Sequence, residues 1–181
     1  MRTVRSARPR SLGLRSDREN RYGADMDAND ELSQALSEAR QHRQTLHDAI
    51  VHLEEAISSP AAGRIPAWTA SVLKEMEEVR DAFAQHVIAT EKPGGLYDEI
   101  LERAPRLEAN VRRLREEHPE IVKGIEETIT RLEHVDIGME AWPLDAARDD
   151  LQRFIGAVIR HRQRGADLVW EAYNVDIGGI E

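Results

Sequence analysis

Apolar residues recur at three- and four-residue steps through four long stretches of this chain, a period that suits α-helices and no β-strand. In the first stretch, about Asn29 to Ser58, they are Leu32, Ala35, Leu36, Ala39, Leu46, Ile50, Leu53 and Ile57. Asn29 or Asp30 can cap its start, and Ser58-Ser59-Pro60 ends it. The second, about Pro66 to Thr90, carries Trp68, Val72, Met76, Val79, Phe83 and Val87, and Lys92-Pro-Gly-Gly95 stops it sharply. A short helix is expected over Leu96–Arg103, and Pro105 suits the first turn of the third long helix. That helix carries Leu107, Val111, Leu114, His118, Val122, Ile125, Ile129 and Leu132. Pro119 lies inside it, where a missing N–H predicts a kink rather than a break, because the stripe continues in phase. The fourth runs from near Pro143 to about Tyr173, with Leu151, Phe154, Ile155, Val158 and Val169 inward. The expected fold is all-α: an up-down-up-down four-helix bundle with a short extra helix between helices two and three.

Composition agrees, with 33% charged residues and 4% aromatics, a balance that favours helix over an all-β core. There is no cysteine, which excludes disulfides, thiolate-held zinc, iron–sulfur clusters and thiol nucleophiles. No run of about 18 apolar residues exists to span a membrane, and a cytoplasmic protein is expected. Residues 1–25 hold seven Arg against Asp17, Glu19 and Asp25, a net +4, so with −9 overall the remainder carries −13. So acidic a body repels phosphate backbones, and no nucleic-acid partner is expected. The Arg- and Ser-rich start has no apolar core of a secretory signal. Residues 1–27 read as a disordered basic extension and 28–181 as the bundle.

Four histidines fall on inward-facing stripes, one per long helix: His42, His86, His118 and His161. His118 lies between Leu114 and Val122 at the centre of its stripe, while His86 and His161 follow Phe83 and Val158 by three residues. His47 is the second choice on helix one, His52 points outward, and His134 lies beyond its helical pattern. Taken singly, an inward histidine is more often a hydrogen-bonded core residue than a ligand. Four on four helices are a different matter, because burying imidazoles is costly unless each finds a partner, and one metal site satisfies them together. Of the four, His86 alone carries a carboxylate one turn further on, Glu91, five residues later at the helix end. Imidazole suits iron, zinc and copper, and a carboxylate among imidazoles favours iron or manganese. The acid pairs Glu54-Glu55, Glu77-Glu78 and Glu116-Glu117 read as solvated surface.

With these segments in order, residues 29 to 179 resemble a hemerythrin-like (HHE cation-binding) domain. The resemblance is carried by the helix-one histidine followed by Leu53-Glu-Glu-Ala-Ile57, by Phe83-Ala-Gln-His86 with Glu91 before Pro-Gly-Gly-Leu-Tyr97, by Leu114-Arg-Glu-Glu-His118, and by His161-Arg-Gln-Arg-Gly-Ala-Asp-Leu168. It implies a four-helix bundle binding non-haem iron, mono- or di-nuclear, and a role in oxygen binding, iron handling, or responses to nitric oxide or peroxide. The implied ligands are His42 (or His47), His86, Glu91, His118 and His161. The pattern departs from the family in two places. Gly165 and Ala166 stand where a second carboxylate is usual, and Leu114 and Val122 occupy the turns where a paired helix-three histidine would sit. Tyr97 or Tyr173 could substitute as a phenolate.

The expected function is therefore a hemerythrin-like metal protein whose partner is a small diatomic or peroxide ligand, in a monomer or weak homodimer. A weak peroxide- or nitric-oxide-consuming activity fits that family, but no acid–base pair marks an enzyme. The alternative is a metal-free helical interaction or regulatory module that has lost its second carboxylate. No phosphate-cradling glycine loop, Gly-x-Ser-x-Gly turn or triad spacing points to a hydrolase or transferase.

Overall fold

The computed structural model describes residues 16–134, 136–137 and 140–174, with side chains from residue 34 to residue 173. All regular structure in this range is helical: α1 (Ser16–Ser58), α2 (Ile65–Glu91), α3 (Leu96–Arg103), a 3-10 turn (Pro105–Leu107), α4 (Glu108–His134) and α5 (Leu144–Asn174). No strand occurs among the described residues, only an isolated bridge between Ile137 and Trp142. No helix among them is long and apolar enough to cross a membrane. The chain divides into two compact units, Met1–Gln34 and Ala35–Glu181. The first contributes the beginning of α1; the core and the candidate site belong to the second.

Expected and observed boundaries agree closely for α2, α3 and α5. Pro105 starts a 3-10 turn that leads into α4 rather than its first α-helical turn. α4 passes through Pro119 without a break. α1 starts at Ser16, not near Asn29, so residues 16–27 of the expected disordered extension have helical backbone, and no proline interrupts them. The rest of that extension, residues 1–15, and the last residues assigned to the bundle, 175–181, lie outside the described residues. Val122, placed inward by the periodicity, is exposed. After His118 the buried face runs through Ile121 to Ile125 instead, with Ile121 packed against the core.

Two apolar clusters fill Ala35–Glu181. The larger joins Leu46, Leu53 and Ile57 of α1, Val72, Met76 and Phe83 of α2, Ile125 and Ile129 of α4, and Leu151, Ile155 and Val158 of α5. The smaller joins Ala39 of α1, Leu96, Tyr97 and Ile100 of α3, Val111 and Leu114 of α4, and Leu168 and Ala172 of α5. Along α4 and α5 the chain passes from one cluster to the other through a histidine, and on α2 a histidine follows the last buried residue of the larger cluster. His86 follows Phe83, His118 separates Leu114 from Ile125, and His161 separates Val158 from Leu168. The apolar interior is divided by a polar layer.

Helix ends are held by side chains from elsewhere in the fold. The Ile57 carbonyl near the C-terminus of α1 accepts from Trp68 Nε1 at 3.2 Å and from Arg148 Nε at 3.2 Å, while Arg148 Nη2 reaches the Ser59 carbonyl at 2.7 Å. These bonds satisfy carbonyls that have no partner within a helix. Near the same N-terminal turns of α5, Trp142 is buried; its Nε1 donates to Asp150 Oδ2 at 3.0 Å and Arg131 lies 3.8 Å over its ring. Arg131 also pairs with Asp150 at 2.7 Å. Partial burial disfavours the Asp150 carboxylate, but the hydrogen bonds from Trp142 and Arg131 outweigh it and hold the pKa below its ordinary 3.8.

The turn between α2 and α3 requires glycine twice. Gly94 has φ +69°, and its N–H donates to Asp98 at 3.0 Å. A Cβ on Gly95 would lie 2.8 Å from the Lys92 carbonyl oxygen and 2.9 Å from that of Ala89. Gly95→Ala is therefore expected to cost about 1–3 kcal/mol by overpacking, measurable as a lower denaturant midpoint with an unchanged slope. Asp150→Asn should destabilise in a pH-dependent way. Because the native pKa is depressed, the contribution is complete above the unfolded value and disappears as pH falls through the folded one. Wild-type and variant melting temperatures should differ by a constant amount above about pH 5, begin to converge near pH 4, and meet only once pH has fallen below the folded pKa.

Candidate metal centre

The polar layer consists of His86 on α2, His118 on α4 and His161 on α5, all buried. One ring nitrogen from each can be chosen so that the three lie within 4.8 Å of one another. His86 Nε2 and His161 Nε2 are 3.3 Å apart. Ring centroids are separated by 5.4 Å (His86–His118), 5.5 Å (His86–His161) and 4.8 Å (His118–His161). Phe83 touches all three rings from the larger cluster, at 5.7, 5.7 and 5.9 Å between centroids. Tyr97, in the smaller cluster, stacks on His118 at 6.0 Å.

Two of the imidazoles are oriented by carboxylates. His118 Nδ1–H donates to Glu91 Oε1 at 2.5 Å, and His161 Nδ1–H donates to Glu117 Oε2 at 2.8 Å. Glu117 is held in turn by Arg164 at 2.7 Å and Arg113 at 3.5 Å. With the proton on Nδ1, each of these rings leaves its Nε2 lone pair free. His118 Nε2 is buried without a partner. His161 Nε2 meets only His86 Nε2, and His86 Nδ1 is likewise buried and unpartnered. Carboxylate on the outer nitrogen and a lone pair on the inner one is how histidine is prepared for a metal.

Burial and the neighbouring imidazoles His118 and His161 depress the His86 pKa to about 3. Burial lowers His118 and His161 as well, although the facing Glu91 and Glu117 oppose it. All three rings are neutral near pH 7, the form that ligates. For Glu117, burial works against the anion, but the bonds from Arg164 and His161 prevail and its pKa falls.

Helix α1 brings no imidazole to this point. His42 is half-buried and outside the cluster, and His47 is exposed, its Nδ1 accepting from Arg162 at 3.3 Å. His52 and His134 are exposed, as expected. Glu91 contacts the outer face of His118, so it orients a ring instead of joining the inner nitrogens. Tyr173 lies away from the centre, bonded to buried Glu99 with Arg103 4.7 Å over its ring. Glu117, read from sequence as solvated surface, is the clearest omission. A signal was present: it follows buried Leu114 by three residues and precedes Ile121 by four, the spacing of the stripe's own flank.

A small cavity of about 20 Å³ opens beside His86 and His161. Tyr97 and Gly165 line it, and so do Arg40 and Arg43 of α1 and Arg162 of α5. A Cβ added at Gly165 would meet nothing within 4 Å, so the space at the expected position of a second carboxylate is open. Comparison with family models, curated proteins and solved structures finds no match for this chain.

The three buried histidines are close enough together to hold a metal ion. Two nitrogens each about 2.0–2.1 Å from one tetrahedral ion lie about 3.3–3.4 Å apart, the separation found between His86 and His161. A ring nitrogen of His118 lies within 4.8 Å of both residues' ligand atoms. Removing the Glu117 carboxylate should disturb the centre before any metal is considered. Glu117→Ala is expected to cost about 1–3 kcal/mol for the stranded partners. Long-range ¹⁵N–¹H NMR should show His161 changing from the Nδ1–H to the Nε2–H tautomer.

Proposed function

We propose that this protein is a single-metal, three-histidine variant of the hemerythrin-like bundle, with the up-down-up-down arrangement of that fold. His86, His118 and His161 ligate one first-row transition-metal ion. Iron is the reading taken from the family resemblance, and an all-imidazole set also suits zinc and copper. The observation that carries the proposal is the pairing of outer nitrogens with Glu91 and Glu117 while the inner nitrogen of His118 is buried and unpartnered. A bound ion supplies a charged centre with open coordination positions, to which a small oxygen- or nitrogen-containing molecule can bind. The chain's own residues do the rest. Glu91 and Glu117 hold the ring orientations, Phe83 and Tyr97 shut water out on two sides, and the cavity beside His86 and His161 admits the small ligand. The function is binding or sensing of that ligand; no group positioned as a general acid or base turns it into catalysis.

A metal-free module is the second reading, favoured by the His86–His161 contact, which satisfies two of the inner nitrogens without an ion. Elemental analysis of untagged protein, expressed with ample iron and zinc, separates the two. About one equivalent of metal per chain is expected, falling below about 0.2 in His118→Ala and unchanged in His134→Ala. Less than about 0.2 equivalents in the wild type selects the metal-free module. Equal loss from both variants overturns the ligand assignment, and two equivalents would require ligands beyond these three.

A further inference from the structure

The cavity beside the histidines is bordered by an excess of positive charge that the metal proposal leaves unexplained. Arg40 and Arg43, three residues apart on α1, share one helix face, and Arg162 comes from α5. No carboxylate lines the cavity among the described residues. Neither Arg40 nor Arg43 makes a hydrogen bond or ion pair among those residues, although Arg43 is half-buried. Arg162 gives Nη1 to His47, but its Nε–H is fully buried and has no partner. A guanidinium donor in that position forfeits its hydration without compensation. Arg115 and Arg164 also bury an unpartnered Nε, but each pairs its Nη2 with a carboxylate, Asp98 and Glu117, whereas Arg162 has no carboxylate within ion-pair distance among the described residues.

From this arrangement we infer that the cavity is a binding site for a small carboxylate anion, held by Arg43 and Arg162 with Arg40 at the entrance. Guanidinium is the side chain whose donor fork matches a carboxylate. Beyond the arginines and histidines the walls are mostly apolar, from Leu36, Ala39, Leu96 and Val169 with Thr90 and Tyr97 between them, and suit a ligand with little beyond its charged end. Size sets the class. On the scale where one water needs about 10–15 Å³, 20 Å³ admits a group of two or three non-hydrogen atoms. The open space at Gly165 is where that anion fits without displacing protein atoms. The site uses no metal, so it stands or falls separately from the ligand assignment above.

The test uses full-length, chelator-treated protein with sodium formate as the probe and formamide as its neutral counterpart. Ionic strength is held with gluconate, which is too large to enter. Formate is expected to raise the melting temperature and shift the His86 and His161 ring resonances with a single millimolar-range dissociation constant, while formamide does neither. Arg43→Gln and Arg162→Gln should each weaken formate at least tenfold, and Arg43→Lys should weaken it less than Arg43→Gln. Gly165→Glu, which plants a carboxylate in the cavity, should raise the melting temperature above that of Gly165→Gln and abolish the formate response. Equal responses to formate and formamide would overturn the inference. So would an undiminished formate response in Arg43→Gln, or a Gly165→Glu variant that melts no higher than Gly165→Gln.

Discussion

The burial of three neutral imidazoles in an otherwise apolar interior is the constraint on which the rest of this structure depends. Each ring carries two nitrogens that lose water on folding, and each unpaired one costs free energy comparable to a lost hydrogen bond. The solution is asymmetric. Glu91 and Glu117 approach from the partly solvated rim, where a carboxylate remains hydrated on one side, and accept hydrogen bonds from the Nδ1–H groups of His118 and His161. The rings are then fixed in angle by Phe83 and Tyr97. This arrangement also sets helix register. Sliding α2, α4 or α5 by one turn, about 5.4 Å, would carry a histidine out of the layer and put it against Leu or Val. The polar layer thus specifies one alignment among several that apolar packing alone would tolerate.

Much of the architecture was legible because helical periodicity is a strong local signal. The positions of His118 and His161 in their stripes followed from residues three and four apart, and the bounds of α3 from the Pro-Gly-Gly stop before it and Pro105 after it. What was not legible depended on facts that no single helix contains. His42 and Arg43 both lie within one turn of Ala39 and Leu46, so a wheel cannot say which faces the centre; the neighbouring α5, with Gly165 leaving space, decides that Arg43 lines the cavity. Glu117 was read as surface because it is one of two adjacent acids, and only Arg164 and His161 on another helix give it a buried purpose. Val122 was misplaced because the period was carried past Pro119 unchanged, whereas Ile121 takes over the inward position.

Where the sequence predicts a helix-one imidazole, α1 presents guanidinium to the cavity beside the histidines, which changes the chemistry open to the proposed centre. An ion held only by three neutral rings would keep its whole charge within the first layer of ligands, and the low dielectric around Phe83 and Tyr97 makes that charge costly. Glu91 and Glu117 relieve part of it through the Nδ1 protons they accept. The guanidinium groups of Arg43 and Arg162 add repulsion from the cavity side and already contribute to holding His86 neutral. A cation among the histidines and an anion beside the arginines would therefore each reduce the cost of the other. The affinities of the two proposed sites are then coupled in both directions by thermodynamic reciprocity. The cavity wall formed by His86 and His161 is where that coupling is exchanged, because the same two rings border the arginines and supply the inner nitrogens.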